Sequence, residues 1–250
     1  MAKSSKTART DRQKVVEQMR AEQKAAERRR GTIIVAVCVL VAVGIVAAAA
    51  FGPIMDSIRT SKYGSKPLTD IGSPASVCQK VTTKPADGNQ QHLADGSPVT
   101  YTDAPPAFGK HYITPDAMAR KFYTSQDRPA LGTLVHNEEH GYTILWYDAT
   151  AAQDSTQMDQ IKAIADKFAG TTDLRDKFKA VPWTSSDGKP FPDGQHIAFT
   201  HWSVGGTTNA SSGSDKQVGV WQYCSSVSGA ALQTYLNDYP FSDSPEPNGM

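Results

Sequence analysis

From residue 31 to residue 55 the chain carries no charged side chain. Residues 33–51 are Ile, Val, Leu, Ala, Cys and a single Gly, closing on four alanines and Phe51. A helix of about 20 such residues crosses the roughly 30 Å hydrocarbon layer of a bilayer. It also satisfies its own backbone hydrogen bonds, which lipid cannot do. Arg28, Arg29 and Arg30 abut the run, and the first charge beyond it is Asp56. The positive-inside bias therefore predicts residues 1–30 in the cytoplasm, a transmembrane helix over 31–55, and the bulk of the chain outside the cell membrane. The competing reading is a cleaved signal peptide, with the alanines at 47–50 as the cleavage region. The long basic segment and an apolar run beyond the usual 7–15 residues speak for an uncleaved anchor.

Charge is divided along the chain. Residues 1–30 hold ten Lys/Arg against four Asp/Glu, whereas the other 220 residues hold 16 against 21. A folded part with net negative charge does not suit phosphate neutralisation, so no nucleic-acid partner is expected. Residues 11–30 lack Gly and Pro and read as a helix. Their apolar residues make no good stripe, which suits a solvated or lipid-surface helix.

Of three cysteines, Cys38 lies in the apolar run as a small apolar residue. Cys78 and Cys224 fall in the segment placed outside, where an oxidising compartment favours a disulfide between them. With no Cys-x-x-Cys, a structural bridge is a better reading than a metal or redox role.

Residues 56–75, with Gly64, Pro67, Gly72 and Pro74, read as a stalk. An extracytoplasmic domain over 76–241 and a loose Pro-punctuated tail over 242–250 follow. Strands are expected at 77–83, 99–102, 133–136, 142–147, 195–203 and 217–224. Helices are expected from Pro115, over 155–168 behind Asp154 or Ser155, and over 228–239. Pro182 limits its neighbourhood to a sheet edge or a turn. The order predicts an α+β fold, a small mixed sheet with helices on one face, with Trp146, Trp183, Trp202 and Trp221 in its core. Asn209-Ala210-Ser211 matches a glycosylation acceptor, a pattern common by chance.

All six histidines lie in the outer part. His136 and His140 are four apart, with Glu138 and Glu139 between them. On a helix they share a face, and at a hairpin mouth both can turn inward. Loops carrying His92 and His111 can bring two more imidazoles to the same point. A nitrogen-rich set of His92, His111, His136 and His140, with Glu139 as ligand, orienting group or base, suits a transition metal, zinc ahead of copper. A hydrogen-bonded buried network is the alternative. His-Asn-Glu-Glu-His is not the His-Glu-x-x-His protease signature, because its acids sit one and two places later. His201 alternates with core-like neighbours and reads as a satisfied core residue, and His196 as a strand-edge residue.

Three pieces carry a resemblance: His92 in its loop, Pro105-Pro106-Ala107-Phe108-Gly109-Lys110-His111-Tyr112, and Val135-His136-Asn137-Glu138-Glu139-His140-Gly141 leading into the strand at 142–147. With these the chain resembles a bacterial family defined as domain of unknown function 3105, over about residues 76–247. The resemblance implies a single-pass, membrane-anchored envelope protein and a shared histidine site. It brings no reaction. Glu139 matches the family's acid, and Glu138 stands where members usually carry an apolar residue. Three functions follow: a non-enzymatic metal-binding envelope protein, an accessory subunit of an envelope complex with structural histidines, or a metal-dependent hydrolase with Glu139 as base. Four histidines fill a tetrahedral site, whereas hydrolysis wants an open position.

Overall fold

A computed structural model of the chain describes residues 2–87, 90–205 and 216–249. The motif at 209–211 lies outside the described residues. The chain forms two compact units, Met1–Ile58 and Arg59–Met250. The first is almost wholly helix α1, which runs Ala2–Tyr63. Its most apolar stretch has a mean hydropathy of 3.1, and none of that stretch is buried. By length and composition it is the chain's one candidate to cross a membrane among the described residues.

The second unit is built on a five-stranded mixed sheet. Its strands are β1 Thr82–Pro85, β4 Thr143–Tyr147, β5 Phe178–Pro182, β6 Ile197–Ser203 and β7 Val218–Cys224, in the order β1-β7-β6-β4-β5. Only β4 and β5 run parallel. Pro182 ends β5 at a sheet edge, where its missing N–H costs no ladder bond. A separate parallel pair, β2 His92–Leu93 and β3 His111–Tyr112, stands apart from the large sheet.

The alternation of β4 explains why both sheet faces are covered. Leu145 and Tyr147 join one core, with Phe178, Phe199 and Val220. Helices α4 (Ser155–Asp166) and α5 (Gly229–Asp238) add Ile161, Ile164, Leu232 and Tyr235 to it. A short helix α3, Ala149–Gln153, leads into α4. Asp154 caps α4 by accepting from the Thr156 and Gln157 N–H groups, and Ser228 caps α5 through the Ala231 N–H. Ile144 and Trp146 point the other way, into a second core with Val181, Trp183, Ala198 and Leu134. All four tryptophans are buried.

The α+β class and mixed sheet match expectation, but several local elements do not. Residues 133–136 are not a strand. They lie in helix α2, Leu131–Glu139, whose Leu134 covers the sheet face opposite α4 and α5. Thr133 and Val135 favour strand locally, but Gly141 stops a helix. The Gly141 N–H bonds Glu138 O at 2.9 Å and the Tyr142 N–H bonds Asn137 O at 3.0 Å, the two bonds of a Schellman ending. Gly141 has φ +89°, and a Cβ there would stand 2.2 Å from Phe241 O.

No helix starts at Pro115, because the Asn137 carboxamide takes both backbone groups of Asp116, at 2.8 and 3.0 Å. Residues 99–102 form no strand. The segment read as a stalk contributes Tyr63 and Ile71 to the first core. Cys78 and Cys224 are joined, 146 residues apart in sequence. The tail is not loose: Asp243 is fully buried, accepting from Ser203 Oγ and the Val204 N–H.

Candidate metal centre

Two devices bring four imidazoles together. The β2–β3 register sets His92 directly opposite His111, so both side chains leave the same face of that ribbon. Helix α2 carries His136, with Glu139 three residues on and His140 as its C-cap, all on the side facing the ribbon. Gly132 allows the close approach of α2, since a Cβ there would meet the Tyr112 ring at 2.9 Å. Ring centroids then lie 4.5 Å apart for His92–His111, 4.8 Å for His111–His136 and 4.4 Å for His136–His140.

Backbone carbonyls fix the tautomers. His111 Nδ1 contacts Gly109 O at 2.8 Å, and His136 Nδ1 contacts Tyr112 O at 2.6 Å. A carbonyl only accepts, so each Nδ1 carries the proton and each Nε2 keeps a lone pair when the ring is neutral. This is the arrangement that orients metal-ligating histidines elsewhere. Burial pushes the His136 and His140 pKa values down, towards the neutral form a metal requires.

The carboxylate is oriented from a distance. The Trp202 indole N–H, which can only donate, bonds Gln217 Oε1 at 3.0 Å. Gln217 Nε2 then donates to Gln90 Oε1 at 3.2 Å, and Gln90 Nε2 to Glu139 Oε1 at 2.8 Å. One indole thus sets the direction of both amides and leaves Glu139 Oε2 to face the imidazoles. Burial works to raise the Glu139 pKa, but the contacts with His111 and Gln90 outweigh it and hold the carboxyl below its ordinary value. Oε2 lies 2.9 Å from His111 Nε2 and 3.6 Å from His92 Nε2. With the His111 proton on Nδ1, Nε2 and Oε2 are both acceptors in the neutral ring, and both are buried without a hydrogen-bond partner.

Ligand atoms of His92, His111, His136 and Glu139 all lie within 4.8 Å of one another, and those of Glu139, His140 and Glu246 do the same. The expected five residues therefore gather, with His140 in the second set alongside Glu139. His136 Nε2 and His140 Nε2 are 3.1 Å apart. Glu138, between these residues in sequence, is fully buried and belongs to neither set. Burial raises its pKa well above the ordinary value, with the Thr200 hydroxyl as the opposing polar group. His201 is buried and bonded to Asp243 O at 2.7 Å, a satisfied core residue as expected. His196 pairs with Asp148, 2.9 Å away, just before β6.

Sequence reasoning missed Gln90, Gln217 and Glu246. No periodicity marks two glutamines of a relay, and the prolines around Glu246 read as a free end.

Neither a curated protein nor a solved structure matches the chain. One family does, described as Protein of unknown function (DUF3105), over residues 92–249. The matched span opens at the first histidine of the cluster and closes beyond Glu246, and the chain belongs to this DUF3105 family.

Proposed function

We propose that the chain is a membrane-anchored, extracytoplasmic, non-enzymatic protein that binds a transition-metal ion through His92, His111, His136 and Glu139. One observation carries this reading. Two imidazoles with carbonyl-locked Nδ1 protons aim Nε2 lone pairs at a point shared with an ionised carboxylate oxygen. Such a convergence calls for a cation, whether a metal or a proton. Three nitrogens and one oxygen suit zinc ahead of copper, and exclude the oxygen-rich preferences of calcium and magnesium.

Glu139 engages Gln90 through one oxygen and the imidazoles through the other. In this reading it serves as a ligand, which leaves no free base of the kind a hydrolytic reading needs. The apolar helix with its flanking arginines supports anchoring with the second unit outside, and the Cys78–Cys224 bridge suits an oxidising compartment.

The test is elemental analysis of the full-length chain in mild detergent, stripped with chelator and reloaded with Zn²⁺ or Cu²⁺. Wild type retains at least one ion per chain, and His111→Ala loses it. Failure of the wild type to retain any stoichiometric ion overturns the reading. Protease added to intact spheroplasts checks the orientation: the second unit is cut from outside, and its full protection places it in the cytoplasm.

A further inference from the structure

We propose that the C-terminal segment completes a second cation position beside the first, made by Glu139, His140 and Glu246, so that the Glu139 carboxylate bridges two ions. The proposal rests on the metal reading above and extends it to a binuclear centre.

The tail is held over the end of α2 by several independent contacts. The Glu246 N–H bonds Glu139 O at 2.9 Å. Lys177 Nζ donates to Pro247 O, Gly249 O and His140 O, each at 2.7 Å. Gly249 lies so close to the His140 ring that a Cβ there would meet its Cδ2 at 2.5 Å. These contacts fix the backbone and leave the Glu246 carboxylate half exposed, its Oε2 3.5 Å from His140 Nε2.

His140 points to the second ion. Its side chain is 8% exposed. Its Nδ1 is buried with no hydrogen-bond partner. The Nε2–H therefore donates to the His136 Nε2 lone pair, 3.1 Å away, when both rings are neutral and no ion is bound. An ion that takes that lone pair removes the acceptor. His140 then faces a bound metal with an unpaired Nε2–H, unless the proton moves to Nδ1 and exposes a lone pair between Glu139 and Glu246. Two carboxylates and one imidazole within 4.8 Å of one another then form a ligand set, open to solvent on the Glu246 side. Paired ions in shared-carboxylate sites sit about 3.5–4 Å apart.

The two positions differ in strength. The first draws four ligands, three of them buried. The second draws three, one of them half exposed, and lies near the Lys177 ammonium on the carbonyl side of His140. Loading is therefore sequential.

The experiment titrates the metal-stripped full-length chain in detergent with Cu²⁺, reading bound metal and the electron paramagnetic resonance signal. Wild type takes up two equivalents, and the second equivalent lowers the signal per ion, because neighbouring Cu²⁺ spins couple. Glu246→Gln, a change at a half-exposed position, takes up one equivalent with an undiminished signal. Wild type saturating at one equivalent overturns the binuclear proposal and leaves the first site standing, as does an unchanged second equivalent in Glu246→Gln. Wild type with no bound ion overturns both readings.

Discussion

Gly141 joins helix α2, strand β4 and the tail, so adding one methyl group there tests the packing directly. In Gly141→Ala two costs arise. Alanine at φ +89° pays about 1–2 kcal/mol for left-handed backbone. Its Cβ also stands 2.2 Å from Phe241 O and 2.8 Å from Ser244 Oγ. Forcing an atom into filled space costs about 1–3 kcal/mol more. The total expected is about 2–5 kcal/mol. Gly194→Ala is the matched control: its φ is +73°, and nothing lies within 4 Å of the added Cβ. Only the backbone cost, about 1–2 kcal/mol, is expected there. The assay is equilibrium urea unfolding followed by tryptophan emission, which isolates the second unit because all four tryptophans lie in it and are buried. For a domain of this size each kcal/mol also lowers Tm by about 2–4 °C. If the two variants lose the same stability, the tail does not pack against Gly141 as described, and the argument for Glu246 as a ligand loses its footing.

Three further outcomes are expected. Reduction of Cys78–Cys224 removes a cross-link spanning 146 residues, worth on the order of 4–5 kcal/mol by chain entropy, and urea midpoints with and without reductant measure it; an unchanged midpoint refutes this. Gln217→Leu breaks the relay from Trp202 and lets Glu139 turn, so competition titration shows zinc affinity falling about 10–100-fold with the ligands intact; unaltered affinity means the relay orients nothing. Lys121 is pushed down to about 8, first by burial and then by the Lys179 charge, against Asp176. Below pH 8 it is charged in both states; from there to about 10.5 the unfolded chain binds the extra proton, so stability rises with pH. Lys177, also pushed down to about 8 by burial, contributes to the same rise. In pH-dependent unfolding Lys121→Met therefore makes the rise shallower without abolishing it, and an identical slope in both proteins counts against the assignment.

Much of the fold was legible because its signals are local. β4, β6, β7, α4 and α5 all show in period and capping, since Asp154 and Ser228 act within their own helices. Residues 133–136 misled because two β-branched side chains outweigh helix propensity over four residues, whereas Gly141 and the Tyr112 ring decide the outcome from outside that window. The histidines were legible by type, and the i, i+4 pair by spacing. Their convergence depended on a β2–β3 register of two residues that leaves no periodic trace. Glu246 stayed hidden for a related reason: prolines signal a break in regular structure, and a broken segment can still be pinned through its carbonyls by a lysine such as Lys177.

The indole that directs the relay also stands edge-on to the His111 ring, with 6.0 Å between centroids. Trp202 is thus wired to Glu139 through two amides and set edge-on beside His111. On the metal reading proposed above, a quenching ion such as Cu²⁺ held at His111 would dim that indole, which would then serve as a built-in lamp for loading.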